Sequence, residues 1–311
     1  MTDYGHNLLF GTFVTPSAQD ASSVIDQAVI ADRAGLDLVT FQDHPYQPSF
    51  LDTSTLLAYA AARTERIHLS ANVANLPLRP PAVLAKASAS LDILSGGRFE
   101  LGLGSGAFWD PIAAMGGRRL TPAQAVDALR EGIAIIRDIW DTEARGGVFK
   151  DGQYYQARGV KRGPKPAHDI GIWVGAYKPK MLALTGATGD GWLPTMEYLP
   201  AGPGSLPEAN DRIDQAAAAA GRPPAAVRRL MNFMGAEFSP ATPGQFQGRG
   251  QLQGRGLLQG PPAAWIEQLA DLALSHGISA FIIGGDNPST AQRLAAEVAP
   301  AVREIVERER K

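Results

Sequence analysis

The feature that most narrows what this chain can fold into is its rhythm: short apolar runs of strand length alternate with segments of helical periodicity. In the first third, residues 8–14, 36–41, 67–73 and 97–102 read as strands. Between them, residues 20–34, 54–63 and 81–94 carry helical spacing. Gly35 is placed to close the first of these helices in a left-handed conformation, and Pro81 opens the third. Strand, helix, strand in this order predicts parallel βα units. Thr121 as N-cap and Pro122 at the first helical position predict a long helix to about Trp140. Residues 141–169, rich in Gly, Tyr and basic side chains, break the rhythm and predict an insertion with a short hairpin. The rhythm resumes with strands at 170–175, 191–193, 227–234 and 280–283, and with helices at 179–186, through 216–220, at 262–276 and at 289–308. Residues 239–260, repetitive in Gln, Gly and Arg, read as a long loop that is either mobile or functional, one that folds over a site when cofactor is bound. About eight strand–helix pairs suit a closed (β/α)8 TIM barrel better than a doubly wound sheet. The expectation is one barrel domain over residues 1–311, with insertions after strands 4 and 7.

Composition removes several classes of function. A hydrophobic fraction of 45% against 19% charged residues supplies a large core. A net charge of −2 and the lack of any long basic run leave no footprint for nucleic acid or an anionic membrane. With no cysteine in the sequence, disulfides, thiolate metal sites and cysteine nucleophiles are excluded. The start, Met1-Thr2-Asp3-Tyr4-Gly5-His6, lacks the regions of a secretory signal, and no run reaches the roughly 18 apolar residues of a membrane span. A cytoplasmic protein is the default.

In barrels of this kind, chemistry gathers on the loops that come after the strands. Three clusters stand there. Asp43-His44-Pro45 comes after the second strand. It reads either as a loop cap beside a solvent-exposed His or as a proton donor or acceptor with an orienting carboxylate, since His titrates nearest neutrality. Gly104-Ser105-Gly106, at the end of the run Gly102-Leu103-Gly104-Ser105-Gly106, is either a plain tight turn or a place where backbone meets a flat ring or a phosphate. Gly175-Ala176-Tyr177-Lys178 precedes a helix start, where free amides, the helix dipole and a lysine favour a phosphate; otherwise it is an ordinary βα loop. Of the five histidines, His6, His44, His68, His168 and His276, no pair has metal-ligand spacing, and His68 and His276 read as structural. Neither a Gly-x-Ser-x-Gly elbow nor a Walker-type loop is present.

At these same residues the chain resembles the bacterial-luciferase-like monooxygenase family. The tract from Asn72-Val73-Ala74-Asn75 through Arg79-Pro80-Pro81 to Lys86 looks like that family's third strand, loop and helix. It runs into Leu91-Asp92-Ile93-Leu94-Ser95-Gly96-Gly97-Arg98-Phe99-Glu100-Leu101-Gly102-Leu103-Gly104-Ser105-Gly106, the most recognisable stretch. Ile172-Trp173-Val174-Gly175-Ala176, Gly189-Asp190-Gly191-Trp192 and Phe281-Ile282-Ile283-Gly284-Gly285-Asp286 also match, so the resemblance covers nearly the whole chain.

The resemblance implies a luciferase-like (β/α)8 barrel whose flavin or deazaflavin ring lies over the strand ends near Ala71 and Asn72, where relatives often carry a non-proline cis peptide; the bond expected is Ala71–Asn72. It places the phosphate at Gly175, Ala176, Tyr177 and Lys178, with Arg118 or Arg119 as extra cations. Asp-His after the second strand together with Gly-Asp-Gly-Trp resembles users of coenzyme F420, a deazaflavin that carries hydride and does not activate oxygen. His44 is then the proton donor or acceptor, and Asp43 orients it or the ring. Some sugar-phosphate dehydrogenases of this group have Glu where this chain has Ala107, which speaks against a sugar phosphate. Phe13, Phe108 and Trp109 predict a small, fairly apolar substrate instead. The leading expectation is an F420-dependent oxidoreductase acting on such a molecule as a homodimer. The alternative is a monooxygenase using reduced FMN and oxygen. A ligand-binding barrel without catalysis and a metal-dependent hydrolase rank below both, the latter because strand ends lack a His/Asp ligand set.

Overall fold

The computed structural model describes residues 3–239 and 257–311. Eight strands form the barrel: β1 (Leu9–Val14), β2 (Leu38–Phe41), β3 (His68–Ala71), β4 (Phe99–Gly104), β5 (Ile172–Val174), β6 (Gly191–Trp192), β7 (Arg228–Phe233) and β8 (Ile278–Gly284). Each pairs in parallel with the next, β3 with β4 through Leu69 and Phe99. The ring closes where β8 returns to β1, with Phe10 beside Phe281 and Gly11 beside Ile282. Around it stand α1 (Ala21–Ala34), α2 (Thr53–Arg63), α3 (Pro81–Ser95), α4 (Pro122–Trp140), α5 (Pro179–Thr188), α6 (Leu206–Ala219), α7 (Pro262–His276) and α8 (Ala299–Glu309).

Local chemistry explains most of these boundaries. Asp20 caps α1 by accepting from the Ser23 amide at 3.1 Å, and Gly35 ends it at φ +92°. Thr121 and Gln124 form a reciprocal capping box at α4, with Pro122 in its first turn. The hairpin expected in 141–169 pairs Val148–Asp151 with Gln156–Val160. It lies after α4, and a separate short helix, Trp109–Ala114, fills the path from β4 to α4. The final helix is not continuous. It runs as Pro288–Arg293, passes through a π-helical turn at Leu294–Val298 and continues as α8, with Pro300 in the first turn of the new helix, where a proline can restart but not propagate the pattern. Of the loop read at 239–260, residues 240–256 lie outside the described residues; its ends are joined where Glu237–Phe238 pairs with Gln259–Gly260. Among the described residues no helix is long and apolar enough to cross a membrane.

Strand alternation sorts the side chains into two cores. Phe10, Val14, Val39, Phe41, Leu101, Leu103, Phe281 and Ile283 face out and pack under the helices. Phe13, Leu38, Trp173, Leu193, Leu230, Ala280 and Ile282 fill the barrel itself. Charge is also buried at the lower end of the barrel: Arg229, turned outward to α6, is fully buried with Asp214 at 2.5 Å and Asn210 at 2.8 Å, and His168 lies 2.8 Å from Asp92 and 3.3 Å from Glu100.

Candidate active site

The loops leaving the C-terminal ends of the strands make the upper end of the barrel. After β2, the chain enters Gln42, Asp43 and His44. Asp43 is 1% exposed, and its carboxylate is fully engaged. It accepts from the Asn75 amide at 2.8 Å and from Arg79 at 2.7 and 2.8 Å, and Arg79 also reaches Asp52, the N-cap of α2, at 2.7 Å. Asp43 therefore fastens the β2 loop to the β3 loop. Its oxygens are turned to Arg79 and the Asn75 amide, not to the imidazole or the space above the strands.

His44 sits in an aromatic setting. The Tyr46 ring stacks on it with centroids 5.2 Å apart and planes at 25°, and Phe108 from the β4 loop meets it edge-on at 5.2 Å. Burial holds its pKa below the usual 6.5, a shift only partly offset by the Asp43 carboxylate, so at neutral pH the ring is uncharged and able to accept a proton. Burial, with the Asp43 charge, pushes the Tyr46 phenol up to about 12, so it stays protonated. Phe108 joins His44, whereas the other two expected apolar contacts do not. Phe13 is an inward residue of β1 locked in the barrel core. Trp109 turns down onto Leu120, Ala125 and Ala128, against Gly106.

The glycines act mainly as room for the β3 exit. A Cβ at Gly102 would lie 1.9 Å from the Ala71 carbonyl, and one at Gly104 would lie 2.6 Å from the Val73 side chain, which also abuts Gly175. Gly106 has φ +88° and fits under Pro77. Ser105 and Gly106 remain half-buried at the loop start. The cis peptide is Asn72–Val73, one bond later than expected from the sequence. The Asn72 amide still donates to Phe41 at 2.8 Å, so the β2–β3 ladder runs one residue further before the chain departs.

Asn72 brings in partners that sequence reading missed. Its side-chain amide donates to Asn232 at 2.7 Å and to Thr40 at 3.2 Å, and Asn232 donates back to Asn72 at 3.2 Å and to Thr195 at 3.4 Å. These four residues from β2, β3, β7 and the β6 exit make a polar bar across the inside of the barrel top. One signal existed: Asn232 is the lone amide at an inward position of Arg228–Phe233.

At the β5 exit, Gly175 donates to Leu103 at 3.1 Å, and Trp192 fixes the Ala176 carbonyl at 2.9 Å. Beyond it, the amides of Ala176, Tyr177 and Lys178 have no hydrogen-bond acceptor among the described residues, and they lead into α5, which has Lys178 as N-cap. The Tyr177 hydroxyl accepts from Thr195 at 2.9 Å, tying this loop to the β6 exit. Arg118 and Arg119 are engaged elsewhere, over the Tyr154 ring and with Asp110. Near Asp43, the side-chain oxygen of the buried Asn75 has no partner among the described residues. These features suit a phosphorylated ring cofactor: consecutive free amides at a helix start take a phosphate, and an orphaned buried acceptor takes an N–H. No group of three or more metal-ligating side chains occurs among the described residues.

A closed parallel barrel whose upper loops carry a histidine, a glycine-cleared strand exit and an open amide run defines a recognisable class of α/β-barrel scaffold. The family model "Luciferase-like monooxygenase" matches residues 2–235, and the chain belongs to that family. It is 33% identical over 178 residues to an F420-dependent glucose-6-phosphate dehydrogenase of Kribbella flavida, covering 55% of this chain and 52% of that protein. It is 32% identical over 195 residues to a 5,10-methylenetetrahydromethanopterin reductase of Archaeoglobus fulgidus, covering 62% and 54%. The chain thus spans about half the length of the curated relatives it matches. In fold it is similar to an F420-dependent secondary alcohol dehydrogenase in complex with an F420-acetone adduct, with a TM-score of 0.80 at 18% identity over 96% of this chain and 99% of that one. It is also similar to a type II Baeyer-Villiger monooxygenase from Pseudomonas putida in complex with FMN, with a TM-score of 0.73 at 19% identity over 95% and 98%.

Proposed function

We propose that this chain is an oxidoreductase that moves hydride between coenzyme F420 and a small, fairly apolar organic substrate. The observation that carries the reading is His44: an uncharged imidazole on the loop after β2, walled by Tyr46 and Phe108. Two relatives, one named as an F420-dependent dehydrogenase and the other as a reductase, support hydride chemistry. A bound deazaflavin supplies a carbon that accepts or returns hydride. The protein's part is to hold and to exchange protons. The Ala176, Tyr177 and Lys178 amides, with the Lys178 ammonium, hold the phosphate; Ala71, Asn72 and the Gly104-Ser105-Gly106 turn border the ring. In oxidation of a hydroxyl group, His44 takes the hydroxyl proton as the carbon loses hydride, and it returns that proton in reduction. Asp43 acts by fixing the loop. Phe108 and Tyr46 keep water from the reacting atoms and favour an apolar substrate, in keeping with Ala107 beside them.

The second reading, an FMN-dependent monooxygenase, draws on the FMN-bound structural neighbour and on the same phosphate loop. Titration of the purified chain with each cofactor separates the two. F420 binding with no tight FMN binding is expected, and the reverse overturns the first reading. A second copy of this chain is the expected partner, and sedimentation equilibrium at twice the monomer mass is the outcome that supports it.

A further inference from the structure

Gln42 precedes His44 by two residues, and its backbone is pinned. Its carbonyl accepts from the Thr53 hydroxyl at 2.6 Å, at the first turn of α2. One residue on, Asp43 is held by Arg79 and the Asn75 amide. From this fixed stem the Gln42 side-chain amide reaches the imidazole, with its nitrogen 3.4 Å from His44 Nε2. Among the described residues it is the only polar side chain in hydrogen-bond contact with that ring. Tyr46 covers a face of the imidazole and Phe108 meets it edge-on. One nitrogen is thus occupied, and the ring plane is fixed by aromatic packing.

A neutral imidazole carries one N–H and one lone pair, and the hydrogen bond at one nitrogen decides what the other can do. We infer that Gln42 is the positioning residue for His44: its amide holds Nε2 and so makes Nδ1 the nitrogen that exchanges a proton with substrate. The inference rests on the reading of His44 as the proton-exchanging group. An amide offers a donor at one end and an acceptor at the other. By a half-turn it keeps hold of Nε2 whether that nitrogen carries the lone pair or the proton. With the carbonyl end on Nε2–H, the Nδ1 lone pair takes the hydroxyl proton while the substrate carbon gives hydride to oxidised F420. The O–H and C–H bonds break, a C=O bond forms, and the imidazolium keeps Nε2–H on Gln42. Reduction runs the same steps backward, and Gln42 itself neither gains nor loses a proton. The arrangement resembles the orienting carboxylate of a hydrolase triad but leaves the imidazole without a partner charge. Of the groups around His44, Asp43 is paired with Arg79, Tyr46 stays protonated and Phe108 is apolar.

The experiment uses the full chain with F420 and labelled histidine, following the His44 resonances by NMR and turnover by F420 absorbance. In Gln42→Glu, a carboxylate replaces the amide at Nε2. The His44 titration midpoint should rise by about one pH unit or more, and the acid limb of kcat/KM should move up with it. In Gln42→Met, kcat should fall by about ten- to hundredfold, with KM and the F420 Kd within about threefold of wild type. Gln42→Glu should recover most of that loss above its shifted limb, which a merely structural role would not produce. Unchanged titration in Gln42→Glu together with wild-type kcat in Gln42→Met overturns the inference. A fully active His44→Ala variant overturns the underlying reading instead, whatever the Gln42 variants do.

Discussion

The proton exchange proposed for His44 depends on its charge state, so its clearest signature is a pH profile. Its folded pKa lies below 6.5 because burial penalises the imidazolium. As a base it is available above pH 6.5 and is lost as pH falls through the lowered value. The acid limb of kcat/KM for substrate oxidation is therefore expected below pH 6.5, measured in overlapping buffers. His44→Ala should lower kcat by about a hundredfold or more. Arg79 offers a contrasting test. It compensates the buried Asp43, so Arg79→Met should cost roughly 3 kcal/mol in urea unfolding, read from the midpoint at constant slope. At this scale the sequence singles out individual residues more readily than their partners. His44 and the amide run stood out because they occupy loops after predicted strands. Asp43 stood out for the same reason, but its partner Arg79 lies 36 residues on, and nothing local in either residue announces the pairing. The Asn72–Asn232 pair is separated by 160 residues, and such a pairing becomes visible only once the barrel closes.

Elements with strong local chemistry were legible almost to the residue. Pro262–His276 matches its expected span, and the Thr121 cap and Pro122 start of α4 are where the sequence placed them. Strand ends were less so, because in a buried parallel strand apolar residues continue past the last ladder bond. The most recognisable family stretch also divides by element. Asp92 accepts from the Ala167 and His168 amides, and Arg98 donates to the Ala61, Thr64 and Ile67 carbonyls, all at the lower end, while Gly104 and Gly106 serve the upper. Much of that motif therefore encodes the scaffold. Its lower cluster gives a stability prediction. Hydrogen bonding to Glu100, reinforced by the Asp92 charge and opposed by burial, raises His168 to about 9. The stability it contributes is fully present below pH 6.5 and is lost as pH rises through about 9. His168→Gln should flatten the stability curve between those two values, measured by urea unfolding at a series of pH, while F420 affinity stays unchanged.

For the molecule as a whole, ligand binding and folding are linked. F420 at about a hundredfold over its Kd should stabilise the fold by about 2.7 kcal/mol, seen as a rise in Tm, and FMN at the same concentration should not. The ring of strands also has one seam unlike the others. β1 pairs with β2, the next strand in sequence, through Gly11 and Leu38, yet its other edge waits for Phe281 and Ile282. During synthesis, the histidine loop is complete long before that last strand leaves the ribosome. Until it does, the nascent sheet has two bare margins of apolar residues, each able to template pairing with a stranger. The interval before residues 278–284 arrive is thus when this chain is most exposed to misassembly, and when a holdase would matter most.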